Sequence, residues 1–471
     1  MRILRSIAVV SVTAFALLPA PPAGAAAEDG TSCQASAKVA GCVGSVDAFT
    51  PLSGPDLGLG PLAALGRAVL APNDGWAAEG TGTTGGSAAD ADHVFVAATR
   101  AELVTALGGN NATNRTNAVP KIIYVRGTVN GFEAADGTML SCTDLADPGY
   151  TLDGYLAAYD PATWGRVAPS GPLEDARRRS VTNQTAQTQI NVGPNTTIVG
   201  LPGATMAELT LMMDTADNVI VRNLHFRDAH DCFPAWSPTD GANGNWNSQF
   251  DNLSVRRSQH VWLDHNSFDD GDNPDSTQPV LFGRPYQVHD GAADLTHTSN
   301  LLTVSFNKFS SHDKVMLIGS TDNPSGGDPG RLKITLHHNL FSANVQRLPR
   351  VRYGQVDLYN NVYRLDGSVD YAWGVGVQSS LYAENNYVAL TGDADPTEFV
   401  HDWGGTKMTE RGTWLRVNGS PPRPVSLLSA YNEVHEPDLG ADAGWTPTLR
   451  AGPVLPAPAV ALLVPLLAGA L

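Results

Sequence analysis

Charge is scarce in this sequence. Asp, Glu, Lys and Arg together make up 16% of 471 residues, and cations are the scarcer kind, with 30 Lys and Arg against 47 Asp and Glu. A formal net charge of −17 leaves no broad basic footprint, which argues against a nucleic-acid partner. It does not exclude an anionic ligand, because binding depends on local potential. Cysteine is scarce too. Cys33, Cys42, Cys142 and Cys232 show no CxxC or Cys/His spacing of the kind that holds zinc. In an exported protein they would form disulfides. Four cysteines permit three pairings, and proximity alone favours Cys33 with Cys42.

Long uninterrupted apolar runs are also missing. The run from Ile7 to about Leu18 is too short to span a bilayer. Arg2 and Arg5 precede it and small residues at Ala23, Ala25 and Ala27 follow, which is the pattern of a secretory signal peptide over residues 1–27. The C-terminal "AGPVLPAPAVALLVPLLAGAL" is apolar but broken by Pro453, Pro456, Pro458 and Pro465, with no basic stop after it. It reads as a segment packed on the domain rather than a membrane span. The expected divisions are the signal peptide, an N-terminal extension over 28–90 that leads into the catalytic domain, and one domain over 91–471.

What the sequence has in plenty is glycine (47), proline (32) and short β-branched runs. These suit many short strands and turns. The runs recur as "NVIVRNLHF" (218–226), "HVWLDHNSF" (260–268), "LLTVSFNKF" (301–309), "LKITLHHNLF" (332–341), "QVDLYNNVY" (355–363) and "SLYAENNYV" (380–388). In five of them an asparagine precedes the closing residues, at Asn266, Asn307, Asn339, Asn361 and Asn386. By subtraction these lie 41, 32, 22 and 25 residues apart. Propeller blades would repeat evenly and at longer period. A minimum near 22 with variable insertions fits the coils of a parallel β-helix. Stacked coils would align the asparagines into a hydrogen-bonded ladder. The insertions at 227–250 and 269–289 would become outer loops, where function concentrates. A β-sandwich is the rival, but its closely spaced hairpin turns are scarce here.

Three acidic positions, Asp251, Asp290 and Asp294, each fall beside a repeat strand. Carboxylates converging from separate coils would suit calcium, which accepts six to eight oxygens in loose geometry. Asp is also a common turn former, and "DGAAD" matches no EF-hand loop. The cations Lys314, Arg347, Arg350 and Arg352 would suit a uronic-acid polymer, lysine as a point charge and arginine as a fork. Taken singly, each is equally at home in a surface ion pair.

The motifs "HVWLDHNSFDDG", "HDGAAD", "SHDKVMLIGS" and "QRLPRVR" resemble the secreted pectate lyases of polysaccharide lyase family 1. "QRLPRVR" fits that family's R-x-P-x-x-R as Arg347, Pro349 and Arg352, and "VWLDH" fits its V-W-I-D-H with Leu263 for Ile. The resemblance runs from about residue 80 to about 435. It implies an all-β, right-handed parallel β-helix with long loop insertions, a Ca2+ cofactor, and eliminative cleavage of polygalacturonate. By the same resemblance Asp251, Asp290 and Asp294 are calcium ligands, Lys314 and Arg352 bind substrate, and Arg347 is the catalytic base. Arginine is a strained choice of base, since it normally keeps its proton beyond pH 12 or so. The alternative is that Arg347 only orients the sugar and hydroxide takes the proton.

The expected protein is a secreted, monomeric enzyme acting on pectate, with neither nucleic acid nor membrane as partner. A pectin lyase would have no need of three carboxylates, and a polygalacturonase would need an acid pair to protonate the leaving group and activate water. A non-catalytic glycan binder would not need Lys314, Arg347 and three carboxylates together. His265 beside Asp264, and Trp262, are expected to be structural, while His312 and Asp313 flank Lys314 and are placed to orient it.

Overall fold

The recurrent β-branched runs become strands that pair with their own repeats. In the computed structural model, Leu59, residues 62–471 and the backbone of Leu52–Ser53 are described. The signal-peptide stretch and the Cys33–Cys42 pairing lie outside the described residues. Val261 pairs with Leu302, Leu302 with Ile334, Ile334 with Val356 and Val356 with Leu381, all in parallel register. Parallel neighbours cannot be joined by hairpins, so the chain must travel round before it returns. It does so by way of three sheets of 11, 10 and 8 strands. One coil runs from Gln259–Asp264 in the first sheet to Ser267–Asp269 in the second and Ala293–Thr296 in the third. It then re-enters the first sheet at Asn300–Ser305. This is the right-handed parallel β-helix, and the parallel pairing of strands from successive coils excludes the sandwich.

The turn between first and second sheets explains the spaced asparagines. Asn266 Nδ2 donates to Asn307 Oδ1 (3.0 Å), Asn307 to Asn339 (3.1 Å), Asn339 to Asn361 (3.0 Å) and Asn361 to Asn386 (3.2 Å). Each Asn307-type amide also donates to a backbone carbonyl of the neighbouring coil, as Asn307 Nδ2 does to Leu263 O (3.0 Å). All five side chains are buried, so every unmade bond would leave a desolvated amide, at about 1–3 kcal/mol. Inside, Phe226, Phe268, Phe309, Phe341 and Tyr363 stack in sequence with centroids 4.8–5.2 Å apart. That interval is the strand spacing itself, so the core repeats with the sheets.

Helices depart from the all-strand expectation, most extensively in two regions. Residues 142–188 form helices, of which Pro172–Thr188 is the longest, over an aromatic cluster that includes Tyr155, Phe233 and Trp246. A disulfide joins Cys142 to Cys232 across this cluster. The C-terminal tail is packed on the domain as expected, but as a helix, Ala457–Leu467. It sets Val460 and Val464 against Leu340, Val362 and Tyr387. No described helix is long and apolar enough to cross a membrane.

Candidate active site

Side chains alternate across a strand, so alternate residues of the third sheet face away from the core. On Leu253–Arg256 these are Ser254 and Arg256, and on Ala293–Thr296 they are Asp294 and Thr296. The long insertions enter the third sheet at these strands. Asp251 stands two residues before one, Asp290 three residues before the next. Lys314 is bridged to Gly291 on one side and to Gln346 on the other. Coil stacking therefore gathers residues from successive coils, about 20 to 40 apart in sequence, into one strip of surface.

Gly291 sits at the centre of the strip. Its N–H donates to Asp251 Oδ1 (2.9 Å). A Cβ there would overlap the Asp294 carboxylate and lie 2.9 Å from Asp251 Oδ1. Only glycine lets the two carboxylates approach across this point. Both are buried, at 5% and 6% exposure. Burial pushes both carboxyls above the usual range; Asp294 and Asp290 push Asp251 further, well up, and Asp290 helps carry Asp294 to about 7. Asp294 also accepts from the Leu317 N–H (2.9 Å). The cations meet the third carboxylate. Lys314 Nζ is 3.7 Å and Arg347 Nη1 3.9 Å from Asp290 Oδ1. These are Coulombic neighbours rather than tight hydrogen bonds.

Arg347 has a left-handed backbone, φ 61°, a conformation that costs a non-glycine residue about 1 kcal/mol or more. Its Nε–H is buried without a partner. Burial pulls the guanidinium's pKa down, but Asp290 and Asp294 more than reverse this and leave it above its ordinary value. Arg352 is on the same face but turned away from Asp290. It donates from Nε to Asp322 Oδ1 (2.5 Å) and from Nη1 to Gly319 O (3.2 Å). Arg350 lies over the Trp403 ring at 4.0 Å. Thus the three arginines of "QRLPRVR" point three ways, and only Arg347 joins the carboxylates.

His312 and Asp313 do not orient Lys314. His312 Nε2 bonds the Asp290 carbonyl (2.9 Å) and its Nδ1 bonds buried Asp270, so it anchors the backbone of the carboxylate loop. Asp313 accepts from Gln287 (2.8 Å) and Gln346 (3.1 Å). This support carries no signal along the chain, because its partners lie far apart in sequence. Trp262 and His265 are on the first sheet, where Trp262 donates to Ser305 Oγ (2.8 Å) and His265 stacks on Phe306 (4.8 Å). Both are structural, as expected.

Which residues suit a metal follows from their donors. Among the described residues the one group of three such side chains with ligand atoms within 4.8 Å is Cys142, His230 and Cys232. Its two sulfurs are spent in the disulfide. The three aspartates are more widely spread, yet two are buried, and burial with mutual repulsion outweighs the nearby cations and raises both carboxyls. All-oxygen donors at loose spacing fit a hard, flexible cation such as calcium, which fills its remaining positions with water and ligand oxygens. A soft or tetrahedral metal would find neither its donors nor its geometry.

The family profile described as pectate lyase matches residues 169–431. The chain is 45% identical over 407 residues to a pectate lyase of Bacillus subtilis (strain 168), covering 84% of this chain and 92% of that one. Its fold superposes on a thermostable pectate lyase, PL 47, with a TM-score of 0.84 and 44% identity, over 86% of this chain and 99% of that one. A pectate lyase bound to a hexasaccharide gives a TM-score of 0.80 and 42% identity, over 86% and 98% of the two chains.

Proposed function

The chain belongs to the pectate lyase family, and on that footing we propose that it cleaves α-1,4-linked polygalacturonate by calcium-assisted β-elimination, with Arg347 as base, to give 4,5-unsaturated oligogalacturonides. The observation that carries this reading is the convergence of Lys314 and Arg347 on Asp290 beside the buried pair Asp251 and Asp294.

The chemistry is difficult because a carboxylate acidifies its α-proton poorly. Positive charge on that carboxylate stabilises the carbanion-like transition state. Lys314 holds the uronate as a point charge, and Arg352 does so from the adjoining coil once it exchanges Asp322 for substrate. Arg347 removes the proton at C5, the electron pair forms the C4–C5 double bond, and the glycosidic oxygen leaves C4 and takes its proton from solvent. Calcium held by Asp251, Asp290 and Asp294 would supply further positive charge to the substrate carboxylate and weaken the negative field that keeps Arg347 protonated. With that field weakened, burial would weigh more heavily on Arg347 and draw its pKa down, which favours an alkaline optimum. A leader-like stretch over residues 1–27 supports export, and we take the enzyme to act outside the cell as a monomer.

The test is incubation with polygalacturonate, with calcium or with a chelator, following the ultraviolet absorbance of unsaturated uronide. Absorbance that rises with calcium and stops with chelator is expected. Absorbance indifferent to chelator would remove the calcium role, and new reducing ends without absorbance would mean hydrolysis. In Arg347→Ala, kcat should drop about 10³-fold with the fold intact by circular dichroism. A loss under about tenfold would leave hydroxide as the base.

A further inference from the structure

The outward face of the third sheet continues past the carboxylates toward the N-terminal coils. Arg256 pairs in register with Thr296 on one side and Asp214 on the other. Asp294 pairs with Ser254, so Arg256 stands one coil across from Asp294 and two residues along, roughly 5 Å by 7 Å. Two adjacent recesses, of about 200 Å³ and 280 Å³, open here and share Gln189, Met212 and Arg256. The first reaches Asp251; the second reaches Arg115 and Asp214.

The cations around these recesses are not equally paired. Asp214 is already taken twice, by Arg257 Nη2 (2.5 Å) and by Arg115 Nη1 (3.3 Å). Arg256 has no ion pair among the described residues, and its Nε–H is buried without an acceptor. A buried N–H left unpaired is uncommon enough to require a reason. Arg115 and Arg257 share Asp214, so Arg256 is the guanidinium lining both recesses that has no carboxylate of its own among the described residues. An unpaired guanidinium beside a groove attracts an anionic polymer.

We propose that Arg256 is the centre of a uronate subsite. Its guanidinium takes the carboxylate of a sugar other than the one cleaved, on the side of the carboxylate trio that faces the N-terminal coils. The subsite rests on the polygalacturonate reading above. Arg256 presents a fork of donors to a planar carboxylate, Gln189 supplies an amide at the rim, and Met212 gives the sugar an apolar floor. Arg115 and Arg257, satisfied by Asp214, add field without direct contact.

The experiment uses the full chain with Arg256→Ala and Arg256→Lys, at saturating calcium, on galacturonate oligomers from trimer to hexamer. In the wild type kcat/KM should rise with length. In Arg256→Ala that gain should shrink about 5- to 10-fold, mostly through KM, and the hexamer should be cut at different bonds. Arg256→Lys should recover part of the gain, because it keeps the charge and loses the fork. Unchanged length dependence, or a shift confined to the calcium requirement, would overturn the subsite and leave Arg256 as a charge neighbour of Asp294. Titration of hexagalacturonate into Arg347→Ala with and without Arg256→Ala separates the two readings. Weaker binding with Arg256→Ala, while the wild type yields no unsaturated product, would sink the elimination and keep the subsite. Undiminished binding in an enzyme that does eliminate would sink the subsite.

Discussion

At the scale of single residues, the site depends as much on an absent side chain as on the charged ones. Gly291 has no need of an unusual backbone angle. Its role is purely spatial, since a methyl group would intrude between Asp251 and Asp294. Gly291→Ala should therefore raise the calcium concentration needed for half-maximal elimination at least tenfold, with little change in melting temperature. Calcium titration by calorimetry beside the activity assay checks this, and a normal calcium affinity would show that the carboxylates have room. A second residue gives a pH signature away from the site. His338 stacks on Phe306 at 4.8 Å beside His337, and burial first, then the neighbouring His337, lowers its pKa to about 3. The unfolded chain binds a proton here near pH 6.5 and the folded chain does not. Stability is thus complete above about pH 6.5 and falls as the pH drops toward 3, by at most about 1.4 kcal/mol per pH unit. Denaturant melts of the wild type and His338→Phe should converge at neutral pH and part on acidification. Parallel pH profiles would mean that His338 titrates normally. Of the six positions named from sequence, Asp251, Asp290, Asp294, Lys314 and Arg347 come together in the fold, while Arg352 turns to Asp322. The glycine was not legible in the sequence, because crowding across two coils is invisible along one chain.

At the scale of elements, the asparagine turn is what makes the coils register. Asn307 accepts at its Oδ1 from the Asn266 N–H (2.8 Å) and Nδ2, and donates to Asn339 and to the carbonyls of Leu263 and Ser305. Asn307→Ala would leave a buried Asn266 amide and a carbonyl unsatisfied while the active strip stays untouched. Roughly 2–4 kcal/mol should be lost in chemical denaturation, with kcat within about twofold of the wild type. A neutral result would mean that water replaces the amide. The ladder could be read in advance because spacing alone specifies it. The helix Pro172–Thr188 could not. Its buried face recurs at helical spacing but carries Arg177, Ser180, Gln184 and Thr188. Arg177 is satisfied by Glu174 and Phe233 O, and Gln184 by His230 O and the Cys232 N–H. A buried face built of polar groups gives no apolar stripe. In the C-terminal tail, the prolines argue against a spanning helix but not against a short packed one. Pro456 and Pro458 fall at the helix start, where proline is tolerated, and only Pro465 stands within it.

At the scale of the whole molecule, function and stability pull in opposite directions at one place. A solenoid is held by contacts between neighbouring coils. The carboxylate strip crosses two such contacts, from the coil of Asp251 to that of Asp290 and Asp294 and on to Lys314. Without a cation, two buried aspartates repel across the junction, and replacing one charge by a neutral isostere is expected to relieve it. With calcium bound, the same junction becomes a clamp, and binding to the native state alone adds stability as RT ln(1 + [L]/Kd). The two effects predict a crossing. In chelator, Asp294→Asn should melt about 2 °C above the wild type. In millimolar calcium the wild type should gain several degrees and overtake a variant that scarcely responds. Calorimetric scans of both proteins in both buffers decide it. If the variant is less stable than the wild type even in chelator, the hydrogen bond from Leu317 to Asp294 outweighs the repulsion. The strip would then be ordered before any metal arrives, and calcium would act on the substrate rather than on the fold.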